Sequence, residues 1–278
     1  MIGAAFFFSL MSLFVKIAGR RLPTSEIVFA RSFLSLIITF FLMRRAGVWS
    51  WGQNKPLLIL RGVAGFCGLL CFFYAITKLP LADVTVIHFI NPVLTAVLAG
   101  AVLGERVSPR DAMGLGLSLV GVIFVAQPEF LFGGAAEELN LFAVGVALCG
   151  AVCSAIAYTT VRKLRETEHH LTVVFYFPLV ATPASLPLLQ NAVWPTPFEW
   201  VILVLIGIVT QIAQIFLTKG LHVEKAGRAM SMSYIQIVFA VTWGFLFFQE
   251  VPNLMGIVGA VLVLMGTLVT TSSKPRPV

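Results

Sequence analysis

Charge is scarce in this sequence. Only 11% of its 278 residues are Asp, Glu, Lys or Arg, where a soluble domain carries roughly a quarter. With 59% hydrophobic residues and a mean hydropathy of +0.97, the chain cannot cover its surface with polar groups, so its solvent is lipid. Carboxylates are scarcer still, and none lies near the middle of an apolar run: Asp83, Asp111 and the glutamates stand at run ends or in connections. This excludes a buried carboxylate proton relay and leaves His88 as the central group that titrates near neutral pH. His88 has no acidic neighbour at helical spacing, and no nucleophile–base pair is visible, which counts against a membrane enzyme. The four cysteines form two i, i+4 pairs, Cys67/Cys71 and Cys149/Cys153. Zinc would need further ligands and the spacing suits a disulfide poorly, so they are read as small packing residues; no metal and no cofactor is expected. There is no patch of basic and aromatic residues to bind nucleic acid. No basic stretch or cleavage site of the usual kind accompanies the first apolar run, so no cleaved signal peptide is expected.

Apolar runs dominate what remains. A helix needs about 20 apolar residues to cross a bilayer, and ten runs qualify: 2–18, 26–43, 57–78, 82–103, 111–127, 140–161, 172–189, 198–218, 226–248 and 253–271. The fold class is therefore all-α integral membrane, with ten transmembrane helices. Lys and Arg gather on one side of the membrane. Fourteen fall on that side (Arg44, Arg45, Lys55, Arg61, Arg106, Arg110, Arg162, Lys163, Arg165, Lys219, Lys225, Arg228, Lys274, Arg276) and four on the other (Lys16, Arg20, Arg21, Lys78), with Arg31 inside span two. Both termini are expected in the cytoplasm, and the setting is expected to be a bacterial inner membrane.

The chain also repeats itself. At an offset of 145, Ser9 falls on Ser154, Ile90 on Ile235, Glu105 on Glu250, Gly114 on Gly259 and Gly121 on Gly266. Residues 1–130 and 131–278 are accordingly two five-span units, joined near Pro128–Leu139. Five is odd, so the second unit enters the membrane inverted. Inverted repeats are typical of transporters, with the site near the midplane where the repeats meet.

The stretch Phe73–Val125 carries Tyr74-Ala75, Leu79-Pro80, Asn91-Pro92, the LGER of Leu103–Arg106, and Gly114 and Gly121. It resembles the half-repeat of the drug/metabolite transporter superfamily, EamA type. The second half keeps Phe248–Pro252 and Gly259/Gly266 but has Ile237 where Pro92 would map. The resemblance implies ten helices in inverted five-helix repeats and alternating access without ATP. It does not fix the substrate.

Polar residues inside the runs are the candidates for a substrate site. His88, Asn91 and Thr95 share one helix face. The offset maps His88 to Ser233 and Asn91 to Gln236, which share a face of span nine with Trp243. Two matched stripes point to a central polar cavity; helix–helix hydrogen bonding is the alternative. Pro92 opens the backbone ladder near His88, giving either a gating kink or a static one. Gln211, Gln214 and Thr218 share a face of span eight, Tyr158 lies in span six and Tyr74 in span three. Arg31 binds an anionic group or snorkels, while Lys16 and Arg61 are read as snorkelling. Glu105 and Glu250 are assigned to helix corners, each accepting from the first amides of the next helix. The glycine faces of spans five and ten suit close packing, within one chain or between two copies of a homodimer.

The expectation is a secondary transporter of a small polar or amphipathic metabolite, working without ATP through a cavity between the repeats. The alternatives are an acyltransferase-like membrane enzyme and an anion channel. The partners expected are a small-molecule substrate and the bilayer.

Overall fold

The computed structural model describes residues 1–48, 51–132 and 140–272. The residues 133–139, which hold most of the expected join between repeats, lie outside that description, as do Lys274 and Arg276.

Ten helical spans are present among the described residues. They are span one (Ile2–Ala18), two (Thr24–Arg45), three (Lys55–Ile76), four (Leu81–His88 and Asn91–Leu103), five (Pro109–Ala126), six (Leu141–Lys163), seven (His170–Ser185), eight (Pro197–Val223), nine (Ala226–Ser231 and Ile235–Phe248) and ten (Leu254–Thr271). Nine are long and apolar enough to cross a bilayer. Span one has 17 residues and reaches only about 25 Å at the helical rise. Phe33, Phe41, Val97, Leu246, Val261 and Leu268 are all exposed, as befits a surface that contacts lipid.

Short polar connections begin the helices. Asn54, Ser108, Asn140 and Asn253 each accept a bond from the amide three residues on. Thr196 and Glu199 form a reciprocal capping box at span eight. Such caps satisfy donors that lipid cannot. Spans four and nine stop at equivalent positions, where Gly104 and Gln249 both adopt left-handed backbone.

The repeats are inverted, and the crossing of spans five and ten demonstrates it. A β-carbon on Gly121 would lie 2.6 Å from the Gly259 carbonyl, and one on Gly259 would lie 2.6 Å from the Gly121 carbonyl. At the other end of the crossing Gly114 meets Gly266, at 2.8 and 2.7 Å in the same sense. Each glycine thus faces the counterpart of the other one, which requires two antiparallel helices about a pseudo-two-fold axis. The small faces of spans five and ten are used on one another, not on a second copy.

The remaining neighbours obey the same exchange. Span one packs on eight as six packs on three. Span nine lies against one as four lies against six, and spans two and seven meet each other.

Candidate functional site

Spans four and nine are both interrupted near their middles, and the interruptions touch. Pro92 has no N–H, so the His88 carbonyl loses its helical partner. The Asn91 side-chain amide supplies one instead, donating to that carbonyl at 2.8 Å. Thr95 donates to the Asn91 carbonyl at 2.7 Å. The Asn91 nitrogen is thereby occupied locally, while its buried Oδ1 has no partner among the described residues. Span nine lacks the proline and is broken by a 3-10 turn at Met232–Tyr234. There Ser231 and Ser233 return their hydroxyls to the carbonyls of Arg228 and Met230, a competition that loosens helices. Tyr234 then stacks on Phe89 at 5.8 Å and donates its hydroxyl to the Phe89 carbonyl at 2.8 Å. Phe89 and Tyr234 are equivalent under the 145-residue offset, so the two breaks clasp each other across the pseudo-two-fold. The repeat could have revealed this pair, but Phe89 looks like ordinary apolar sequence.

Around the clasp, His88 lies against the Phe72 ring at 4.7 Å, and Gln236 is half-buried. Trp243 donates to the Ser9 hydroxyl at 2.9 Å, joining span nine to span one. Tyr74 stands apart: it is exposed and meets Phe142 edge-on at the outer ends of spans three and six.

A second polar group lies among spans two, three, six, seven and eight. Arg31 is 8% exposed and Arg61 2%. Both guanidiniums lie against the ring of Phe177, at 5.9 and 5.2 Å from its centroid, and both have Tyr158 nearby. Arg61 donates to Gln214 Oε1 at 3.2 Å, and Arg31 donates to the Met11 sulfur at 3.4 Å. The Nε of each arginine is buried without a partner among the described residues. On the same face of span eight, Gln211 is 2% exposed with neither amide atom partnered among the described residues, and the Thr218 hydroxyl is likewise unpartnered.

The structure therefore gathers Arg31, Tyr158, Gln211 and Gln214 in one region and adds Arg61 and Phe177, which sequence reasoning missed. Arg61 does not snorkel. Gly65, one turn on, leaves room for it: a β-carbon there would fall 2.6 Å from Arg61 Nη1 and 2.9 Å from the Phe177 ring. That glycine, four residues from an arginine in an apolar run, was the available signal.

The two corner glutamates differ. Glu105 bonds neither of the first amides of span five, because Ser108 already caps that helix. It accepts instead from Arg162 Nε at 2.6 Å and from the Ala226 amide, the start of span nine, at 2.7 Å. Arg162 also donates to the Leu221 and His222 carbonyls, both at 3.0 Å. One buried network thus seals spans four, six, eight and nine at the positively charged side. Glu250, its counterpart, pairs with Lys16 at 2.6 Å in the open, the side chains being 58% and 50% exposed. A recess of about 360 Å³ lies beside it, lined by Gln127, Val241, Gly244, Glu250 and Asn253. On this outer side, outside the spans, Arg21 pairs with Glu199, whose carboxylate raises the guanidinium pKa. No cluster of His, Cys, Asp or Glu fit to hold a metal ion occurs among the described residues.

The model of the EamA-like transporter family matches residues 1–127 and 141–272. The chain is 38% identical over 274 residues to the pseudopaline exporter CntI of Pseudomonas aeruginosa, covering 98% of this chain and 94% of that protein. It is 31% identical over 275 residues to human solute carrier family 35 member G1, covering 94% and 74%. It is 25% identical over 273 residues to the S-adenosylmethionine uptake transporter of Rickettsia prowazekii, covering 96% and 90%. A solved crystal structure matches with a TM-score of 0.85 at 19% identity, over 97% of this chain and 95% of that one, a likeness of fold alone.

Proposed function

The chain belongs to the EamA-like transporter family, and from that premise we propose that it is a secondary transporter moving a small polar or amphipathic metabolite by alternating access, without ATP. It is a multi-pass membrane protein of a transporter family and not an enzyme. The observation that carries the proposal is the inequality of the two equivalent corners. Glu105 closes one end through a buried network, while Glu250 holds the other by an exposed ion pair. A pseudo-two-fold relates two states in which these roles exchange. In the alternate state Glu250 accepts from the Leu81 amide, the counterpart of Ala226, and the Glu105 network opens.

Substrate is held between the ends. Arg31, Tyr158, Gln211 and Gln214 form one part of the site. His88, Asn91, Thr95, Ser233 and Gln236 form the part beside the clasp, which is the point of flexure at Pro92; Trp243 extends it toward the outer end of span nine, and Tyr74 guards the outer rim. Residues 1–130 and 131–278 act as the two units that rock. The distribution of Lys and Arg supports cytoplasmic termini, and the Pseudomonas relative supports a bacterial inner membrane as the setting.

The test is flux in proteoliposomes containing the purified protein. S-adenosylmethionine and pseudopaline, named for the relatives, are the first compounds, followed by amino acids, nucleotides, organic acids and vitamins. A carrier moves its substrate without ATP, and unlabelled substrate on the far side accelerates that movement. Steady conductance in a planar bilayer would mean a channel and would overturn the proposal. In the same assay, His88→Ala flux that keeps the wild-type pH dependence excludes coupling through that histidine.

A further inference from the structure

Among the described residues, buried arginines are handled in two ways. Arg162 is 2% exposed, yet it has a carboxylate at 2.6 Å and two carbonyls at 3.0 Å. Arg21, Arg165 and Arg228 are also paired with glutamates. Arg31 and Arg61 are also buried and have no carboxylate within ion-pair distance among the described residues. Their protein contacts are neutral: a thioether, an amide oxygen and one shared aromatic ring. A ring offsets only part of the desolvation of a cation, and an uncompensated buried charge is costly. Fold stability gives no reason to hold two such charges together, since either position could carry an apolar residue.

Their chemistry selects the ligand. A guanidinium offers a planar fork of N–H donors that matches the oxygens of a carboxylate or phosphate. The unpartnered Nε atoms leave donors uncommitted on both arginines, and the unpartnered Gln211 amide adds another one turn from Gln214. We propose that Arg31 and Arg61, both set against the Phe177 ring, are the receptor for an oxyanion on the transported molecule. The substrate is then an organic acid or a phosphorylated metabolite, not a neutral or purely cationic compound. This rests on the transport function proposed above and narrows its substrate class.

The purified full chain in detergent is followed by thermal unfolding at constant ionic strength with succinate, citrate, inorganic phosphate and adenosine monophosphate. Succinamide and adenosine serve as uncharged counterparts. Anions are expected to raise the melting temperature where their uncharged partners do not, and the stronger series, carboxylate or phosphate, identifies the group. Arg31→Gln and Arg61→Gln are each expected to weaken the apparent affinity for that anion roughly tenfold or more, with ligand-free melting temperatures unchanged or raised. Arg61→Lys, which keeps charge but not the fork, should fall between. If no anion surpasses its uncharged partner, or both glutamine variants respond like wild type, the receptor is overturned. The same holds if either glutamine variant melts well below wild type without ligand and keeps its anion response, because the arginines are then structural. Flux of the stabilising anion separates the two claims. Binding without flux overturns transport and leaves the receptor; flux that survives both substitutions overturns the receptor and leaves transport.

Discussion

A proline in span four would leave the His88 carbonyl unbonded in a medium without water, yet Asn91 sits beside it and repairs the loss with its own side chain. Position 91 therefore calls for a short side chain with a donor. Asn91→Leu strands a buried carbonyl, at a cost of about 1–3 kcal/mol, seen as a lower melting temperature in detergent. Asn91→Asp is isosteric but acceptor-only when ionised, so it should be no better. A stability equal to wild type in both would show that the bond contributes nothing. Tyr234→Phe keeps the stack on Phe89 and removes only the hydroxyl, so its cost should be smaller, about 0.5–1.5 kcal/mol. Arg61 teaches the opposite lesson about legibility. Its place six residues into span three looked close enough to the interface to snorkel, but the side chain turns inward because Gly65 and Phe177 make a berth for it. Sequence position measures depth along an axis; it does not say which way a long side chain leans.

At the scale of helices, the lengths of the apolar runs located the ten spans to within a few residues, because lipid permits so few alternatives. The interruption in span four was legible through Pro92. The one in span nine was not, since serine hydroxyls at 231 and 233 break it without any proline. The glycine faces of spans five and ten were also legible, but their use was ambiguous until the exchange of Gly114 with Gly266 and Gly121 with Gly259 resolved it. That exchange yields a quantitative expectation. Gly121→Ala and Gly259→Ala each drive a methyl into a backbone carbonyl at 2.6 Å, and a carbonyl cannot swing aside as a side chain can. Each should cost about 1–3 kcal/mol. The two strain the same crossing, so once one has parted the helices the other has less to displace. The double variant should therefore lose less than the sum of the singles. Simple additivity in thermal unfolding would mean that the glycines act at independent contacts and would remove the symmetry-based account of the crossing.

On the scale of the whole molecule, duplication makes the two ends chemically alike, and the structure then treats them differently. The sequence shows Glu105 and Glu250 as equals in equal motifs. Nothing local reveals that one reaches across to span nine and Arg162 while the other pairs with Lys16 in the open, because those partners come from distant parts of the chain. Energetics follows the environment. Removing one member of a buried pair costs about 3–5 kcal/mol, as the other charge is left unmatched, whereas an exposed pair contributes about 0–1 kcal/mol. Glu105→Gln should therefore release the positively charged side strongly and Glu250→Gln should change little. Spin labels at Arg106→Cys and Val223→Cys, both exposed beside the Glu105 network, report the separation there after the four native cysteines are replaced. The distance distribution should lengthen and broaden in Glu105→Gln and stay close to the parent in Glu250→Gln. Equal responses would mean that burial does not distinguish the corners. A wide shift in Glu250→Gln alone would place the principal lock at the opposite side of the membrane and reverse the assignment of which end this conformation holds shut.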